Sequence, residues 1–119
     1  MPVVDGNVPD AGDVLWIDFG QPVGHEQSGR RPALVLTSQG YNIRSSIFLV
    51  CPITRTDRDW PFKIALPALG LLTGFVLVDQ IKAIDPARRA FRRGGAVSDQ
   101  TLNEVRGMLA ELLGIPVSV

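Results

Sequence analysis

The stretch DVLWIDFGQPVGHEQSGRRPALVLT, residues 13–37, sets two strand-like segments around a polar loop. In the first segment Leu15, Ile17 and Phe19 alternate with their neighbours, and a period of two predicts a β-strand. The loop GHEQSGRRP (24–32) then carries an imidazole, a carboxylate, a carboxamide, a hydroxyl and two guanidinium groups. A loop that only joins two strands does not need this chemistry. We therefore predict a site for an anionic ligand here.

Working outward, the apolar pattern predicts short strands followed by one helix. The predicted strands cover residues 13–19, 33–37, 46–53, 62–66 and 74–84. Asp85 and Pro86 predict one helical turn at most, and Ser98 is a suitable N-cap for a terminal helix that ends at Gly114. The helix presents one apolar face, made of Leu102, Val105, Leu109 and Leu112.

The order of these elements, without alternating strands and helices, favours a mainly β fold with a small α part. We expect a compact antiparallel barrel or half-barrel with the C-terminal helix packed on it. Residues 1–119 are expected to form a single domain, in which residues 1–11, lacking any periodic pattern, are a loose N-terminal arm.

The composition of the chain restricts the classes of function that it can have. Apolar residues make up 45% of the chain, enough for a core, and twelve acidic residues balance twelve basic ones. No global positive field therefore attracts nucleic acid, and anion binding must come from local clusters. The single cysteine, Cys51, is expected to be an inert core residue, and a lone histidine makes a zinc site improbable, so no metal or cofactor is predicted. Without an apolar run of about 20 residues, the chain is expected to be cytoplasmic and off the membrane.

Several polar residues outside the loop are candidates for the same site. Arg31 precedes a proline, which holds its backbone extended at a strand mouth, and Thr54 ends a strand at the barrel rim. Asp79 and Gln80 interrupt an apolar run, and there they either brace a loop or face a site. The arginines at 88, 89, 92 and 93 form a solvated face or follow an RNA backbone.

Four blocks of the chain together resemble the MazF/PemK/Kid family of toxin endoribonucleases. The blocks are GDVLWIDFG (12–20), GHEQSGRRPALVLT (24–37), VCPIT (50–54) and VDQIKAID (78–85). The resemblance, from about Gly12 to Gly114, implies a small SH3-like barrel and a homodimer. It also implies metal-independent cleavage of single-stranded RNA, which inhibits translation and growth, and neutralisation by a cognate MazE-like antitoxin.

The resemblance also implies roles for individual residues. Arg31 matches the family's catalytic arginine and Thr54 its catalytic threonine, while Glu26 matches a loop position that contacts RNA or holds the loop. Asp79 matches the aspartate of Kid-type sites, but Leu77 stands where those sites have an arginine, which favours the MazF-type pair of Arg31 and Thr54. Glu26 is placed with the catalytic residues, and the expected RNA-binding residues are His25, Gln27, Ser28, Arg30, Arg55, Asp79 and Gln80.

Two points stay open at the level of sequence. Glu26 and His25 are better general-base candidates than an arginine, whose pKa lies above about 12, and Asp79 is a third candidate for proton transfer. The rival function is that of CcdB-like toxins, which share the barrel and bind DNA gyrase without being enzymes. The action of those toxins resembles a plug, which is formed by a C-terminal Trp-Gly-Ile sequence. Residues 115–119 of this chain, IPVSV, do not contain that sequence.

Overall fold

Seven strands and two helices make up the part of the chain that the computed structural model describes, residues 8–20, 29–69 and 72–116. The elements are β1 (Asp13–Asp18), β2 (Arg30–Val35), α1 (Gln39–Ser45), β3 (Phe48–Thr54), β4 (Lys63–Leu69), β5 (Leu72–Leu77), β6 (Lys82–Ile84), β7 (Phe91–Ala96) and α2 (Asp99–Leu113). All strand pairs are antiparallel, in the order β4-β5-β3-β2-β1-β7, and β6 pairs with β3.

Strand β3 is the centre of this sheet because it has three partners. One edge pairs with β2, while the other is shared by β6 at its start and β5 at its end. A strand that serves different partners along its length bends the sheet, which curls into a half-barrel with α2 packed on it. The expected mainly β fold with a C-terminal helix is confirmed.

The core has two layers because side chains alternate across the strands. On one face of β1 to β3, Val14, Leu34 and Cys51 join a buried cluster that also contains Val105 of α2. On the other face lies a second buried cluster, made of Leu15, Ile17, Ala33, Val35, Phe48, Val50 and Ile84. Burial on both faces fixes the register, since a shift of one residue would exchange the two clusters.

Helix α2 follows the sequence prediction closely. The Ser98 hydroxyl accepts a hydrogen bond from the Thr101 amide at 3.2 Å, and Gly114 closes the helix in the left-handed conformation. Leu102 and Val105 are buried, and Leu109 and Leu112 pack against the first cluster from its edge, as the apolar face predicted. The helix therefore covers one face of the sheet and leaves the end near Arg31 and Thr54 uncovered.

The predicted strand over residues 74–84 is wrong as one element. Strand β5 begins earlier, at Leu72, and stops at Leu77. The chain then turns, with the Gln80 amide donating to the Leu77 carbonyl at 3.2 Å, before β6 begins at Lys82. Both strands pair with β3, so the chain must leave the sheet between them. Asp79 and Gln80 are exposed in this turn.

Helix α1 was not predicted, and it ties down the segment before β1. The buried side chain of Asn42 donates to the Pro9 carbonyl at 2.9 Å and to the Thr37 carbonyl at 3.0 Å. The Asp10 carboxylate accepts from the Gln39 amide at 2.9 Å. Residues 8–10 are therefore held against α1, contrary to the expected loose arm, while residues 1–7 of that arm lie outside the described part of the chain.

Strand β7 was also not predicted, because Gly94 and Gly95 favoured a break in structure. The single turn expected at Asp85 is present, with the Arg88 and Arg89 amides donating to the Asp85 carbonyl. The chain then pairs with β1 along the edge of the sheet, with a register shift between Asp13 and Leu15. Pairing with β1 outweighs the weak strand propensity of two glycines.

Candidate active site

A hollow of about 350 Å³ opens where β2 begins and β3 ends. Its lining combines an indole, three guanidinium groups and two threonines on a small apolar base. The lining residues are Trp16, Arg30, Arg31, Pro32, Ile53, Thr54, Arg55 and Thr56. Three cations around one open hollow are suited to an anionic ligand, as the polar loop predicted.

Antiparallel pairing brings Arg31 and Thr54 to the same end of the sheet. Strand β2 pairs with β3 through Ala33 opposite Pro52. Continuing that register by two residues sets Arg31 across from Thr54, and both residues line the hollow. The Thr54 hydroxyl oxygen accepts a hydrogen bond from the Thr56 amide at 3.2 Å, which leaves its proton available to a ligand.

Residues 29 and 30 fix the point where the polar loop joins the site. The Phe19 amide donates to the Gly29 carbonyl and the Gly29 amide donates to the Gly20 carbonyl, both at 3.0 Å. These two bonds join the ends of the segment 21–28 directly before Arg30. The predicted site residues His25, Glu26, Gln27 and Ser28 belong to that segment and lie outside the described residues.

Asp79 and Gln80 lie away from this hollow. The Asp79 carboxylate accepts a hydrogen bond from the Trp60 indole at 3.1 Å, so it braces the β3–β4 loop, one of the two roles expected. Gln80 lines a second hollow of about 240 Å³ with Arg58, Asp59, Trp60 and Leu77. Leu77, which stands at the position of the Kid-type arginine, is buried there. The structure therefore does not bring Asp79 together with Arg31 and Thr54.

The β3–β4 loop is held by contacts among its own side chains and with Lys63 at the start of β4. The Lys63 ammonium donates to the Asp57 carboxylate and to the Arg58 carbonyl, and it also lies over the Phe75 ring, 4.8 Å from the centroid. The Trp60 and Phe62 rings meet edge to face at 5.8 Å. This loop begins with Arg55 and Thr56 of the first hollow and reaches the second at Arg58, so it forms a wall of both.

The four arginines between 88 and 93 do not act as one patch. Arg88 pairs with Asp85 at 3.7 Å, Arg89 lies over the Phe19 ring, and Arg93 pairs with Asp13 at 3.0 Å. Arg92 instead lines a small hollow of about 40 Å³ that shares Trp16 and Arg30 with the first. All four arginines are exposed, as the prediction of a solvated face requires, but they differ in what they contact.

Sequence reasoning missed two residues that shape the site, Trp16 and Gly74. Trp16 was assigned only to a strand face, although it forms part of the hollow. Gly74 lies against the backbone of Thr54 and Arg55, and a glycine inside a β-branched run is the usual signal of such a close approach.

Cys51 is not part of the site. It is buried, and its thiol points at the Val78 carbonyl, with the sulfur 3.6 Å from the oxygen. Burial raises the pKa of the Cys51 thiol to about 12, with a further contribution from the Asp79 carboxylate. A thiol that stays protonated at neutral pH is not a nucleophile, so the prediction of an inert core cysteine is confirmed.

Over the described residues, no group of three or more His, Cys, Asp or Glu side chains is arranged to hold a metal ion. In the same part of the chain, neither helix has the length and apolar character needed to cross a membrane.

The sequence and the fold resemble those of known proteins. Residues 10–113 match the family model described as PemK-like, MazF-like toxin of type II toxin-antitoxin system. The chain is 34% identical to the endoribonuclease toxin MazF of Escherichia coli K12 over 112 residues, which cover 94% of this chain and all of that protein.

Solved structures show the same likeness. The crystal structure of MazF from Deinococcus radiodurans aligns with a TM-score of 0.79 and 41% identity, over 90% of this chain and 97% of that one. A chain of the MazE–MazF crystal structure from the same organism aligns with a TM-score of 0.82 and 38% identity, over 92% and 99%. The chain described here belongs to the PemK-like, MazF-like toxin family.

Proposed function

We propose that this chain is the toxin of a type II toxin–antitoxin system and acts as a sequence-specific endoribonuclease on single-stranded RNA. The observation that carries the proposal is the convergence of Arg31 and Thr54 on one cationic hollow, in a family whose curated relatives are named endoribonucleases. The same family membership favours RNA cleavage over the CcdB-like alternative of gyrase binding.

The proposed reaction uses the 2′-hydroxyl of the RNA as nucleophile. Its oxygen attacks the adjacent phosphorus, the bond to the 5′-oxygen of the next nucleotide breaks, and the products are a 2′,3′-cyclic phosphate and a 5′-hydroxyl. One proton leaves the attacking hydroxyl and one reaches the departing oxygen, so the reaction needs no metal and no other cofactor. What the protein must supply is alignment, proton transfer and stabilisation of charge on the phosphate.

Arg31 is suited to stabilising the charge that develops on the phosphate oxygens, because its planar fork donates two parallel hydrogen bonds. Thr54, whose oxygen already accepts from Thr56, has its proton free to hydrogen-bond the phosphate and orient it. Glu26 and His25, on the loop that joins the sheet beside Arg30, are the proposed general bases. Arg30 and Arg55 add positive charge to the hollow, and Gln27, Ser28 and Gln80 are proposed to contact the RNA.

Incubating the purified protein with a long RNA in the presence of EDTA tests the activity directly. We expect cleavage at a few sites, 5′-hydroxyl ends on the downstream fragments and cyclic phosphates on the upstream ones. A gyrase supercoiling assay run beside it is expected to show no inhibition. Inhibited gyrase together with intact RNA would reverse the assignment in favour of the CcdB-like function.

The active form is proposed to be a two-fold dimer. A hollow of about 350 Å³ in one chain has room for little more than one nucleotide, and a two-fold pair of chains would offer a longer RNA two such hollows. Sedimentation equilibrium at micromolar concentration measures the mass. A 12.9 kDa monomer that still cuts RNA at specific sites would contradict the dimer.

Regulation is proposed to come from a MazE-like antitoxin, since a solved relative is a MazE–MazF complex. An acidic segment of the antitoxin would place carboxylates against Arg30, Arg31 and Arg55, where the RNA phosphate binds. An RNA with a 2′-deoxy residue at the cut site cannot react, and calorimetric titration is expected to show that it competes with the antitoxin. Simultaneous binding without loss of affinity would mean that inhibition does not occlude the site.

We place this activity in the cytoplasm, where messenger RNA is translated.

A further inference from the structure

Trp16 separates two hollows on one face of the sheet. It lines the hollow of about 350 Å³ that contains Arg31 and Thr54, and also the smaller hollow of about 40 Å³ on the side of β7. Of the other residues that the structure describes, Arg30 alone lines both. A ligand that fills the first hollow therefore meets Trp16 and Arg30 where it would continue towards β7.

The pairing register places two arginines on the face that carries Trp16. Strand β1 lies between β2 and β7, and Trp16 is opposite Pro32 on one side and Arg92 on the other. Residues opposite each other in an antiparallel pair project to the same face, and so do residues two apart on one strand. Arg92, Trp16 and Arg30 consequently share a face, and all three line the smaller hollow.

The neighbouring residue Arg93 has a structural role instead. It projects to the opposite face, where it donates to the Asp13 carboxylate at 3.0 Å and so joins β7 to the start of β1. Arg92 is exposed and, within the described residues, has no carboxylate partner. Two adjacent residues of the same type thus provide one structural cation and one cation available to a ligand.

Gly94 explains how Trp16 is held at this place. A β-carbon at Gly94 would lie 2.6 Å from Nε1 and 2.7 Å from Cδ1 of the Trp16 indole. The ring therefore leans over β7 into space that only a glycine leaves open. This close approach fixes the indole beside Arg92, as a wall shared by both hollows.

We propose that Trp16, Arg30 and Arg92 form a second nucleotide subsite, which extends the RNA path from Arg31 and Thr54 across β1 to β7. A phosphate next to the scissile one binds between the Arg30 and Arg92 guanidinium groups, and its base lies against the Trp16 indole. Arginine forks match phosphate geometry, and an indole face accepts any base. Asp18, opposite Arg30, marks the end of the subsite and its carboxylate accepts the Gly20 amide at 2.9 Å.

This inference rests on the proposed function, because it assigns a further part of the same substrate. It predicts that nucleotides on one side of the cut contribute to binding through Arg92 and that those on the other side do not. The contribution is largely electrostatic and therefore depends on salt.

Binding of an uncleavable RNA with a 2′-deoxy residue at the cut site tests the subsite without relying on catalysis. Arg92→Ala is expected to weaken binding about tenfold and to reduce the slope of log K against log salt by about 0.7. Arg92→Lys keeps the charge, so it should retain the slope while losing part of the affinity. Arg93→Ala is the matched control and should bind RNA like the wild type while melting at a lower temperature.

A second control, Arg106→Ala on α2, removes one positive charge away from both hollows and should leave binding unchanged. Shortening the RNA from one end is then expected to cost the wild type about tenfold in affinity and to cost Arg92→Ala nothing. Wild-type affinity and salt slope in Arg92→Ala, or an equal loss in Arg93→Ala, would overturn the subsite. If the wild type binds the RNA as described but never cuts a cleavable one, the proposed activity fails and the subsite stands. If it binds no RNA, both fail.

Discussion

Gly74 of β5 lies directly against the backbone of Thr54 at the end of β3. A β-carbon at Gly74 would stand 2.3 Å from the Thr54 carbonyl oxygen and 3.4 Å from the Arg55 α-carbon. The backbone of Gly74 also has a φ of +147°, which side-chain-bearing residues rarely adopt. The position of Thr54 in the hollow therefore depends on the absence of a side chain on the neighbouring strand.

Replacing Gly74 with alanine should displace Thr54 and Arg55 from the hollow. We expect kcat for RNA cleavage to fall at least tenfold, the affinity for uncleavable RNA to change less, and stability to drop by about 1–3 kcal/mol. Single-turnover kinetics and urea unfolding measure the two effects. Gly107→Ala is the control, since a β-carbon there meets nothing within 4 Å and lies on α2, where alanine adds about 1 kcal/mol. Equal kcat in both variants would contradict the positioning role.

Arg31→Ala should remove cleavage while the protein stays folded, because Arg31 is exposed at the start of β2 and lies outside both core clusters. The loss of one preorganised charge contact costs on the order of 10²–10³ in kcat. Arg31→Lys should recover only part of this, because an ammonium lacks the planar fork. Single-turnover cleavage of a defined RNA checks both variants, and circular dichroism establishes the fold. Unreduced cleavage by folded Arg31→Ala would remove this residue from the mechanism.

The hydrogen bond between Trp60 and Asp79 allows a test of whether Asp79 braces the β3–β4 loop or takes part in catalysis. If Asp79 acts by holding the loop, Trp60→Phe and Asp79→Ala should each raise KM about three- to tenfold and leave kcat nearly unchanged. Combining them should add nothing further, since both remove the same bond. A double-mutant cycle on cleavage kinetics gives the answer. A fall in kcat with Asp79→Ala that persists when Trp60 is already phenylalanine would assign Asp79 to the chemistry instead.

The buried Cys51 thiol is expected to make the folding stability of the protein depend on pH in the alkaline range. Burial raises the pKa of the native thiol from 9.0 to about 12. The unfolded chain releases this proton first as pH rises, so the stability held below pH 9 is lost progressively between pH 9 and pH 12. By pH 10 the loss is on the order of 1 kcal/mol. Urea unfolding of wild type and Cys51→Ala at pH 8 and pH 10 isolates it, because other groups cancel. An unchanged difference between the two proteins at both pH values would contradict the shift.

Much of this architecture follows from local pattern. The alternation around Leu15 and Ile17, the Ser98 cap and the Gly114 stop each have a direct physical cause that a sequence displays. The pair of Arg31 and Thr54 was identified from strand ends and from the resemblance, and the structure brings both to one hollow.

The errors arose where tertiary pairing outweighs local pattern. The run over residues 74–84 is mostly β-forming, and only the sharing of β3 by two strands requires a turn at its polar interruption, Asp79 and Gln80. Strand β7 contains two adjacent glycines, and its assignment depends on β1, far away in the chain. In the sequence, Trp16 fits the alternating pattern of a strand whether or not it lines a site. Its position in the wall of the hollow is evident only from the structure.

The ion pair of Asp13 with Arg93 joins residues 80 positions apart, and the β1–β7 pair that it secures is among the longest-range contacts in the described sheet. Contacts this distant in sequence form late, because closing a long loop costs chain entropy before any contact compensates for it. During synthesis, a nascent chain that has emerged only as far as β6 carries Trp16 but not its partner strand. The proposed RNA path across β1 to β7 is therefore incomplete in the nascent chain until β7 has left the ribosomal exit tunnel.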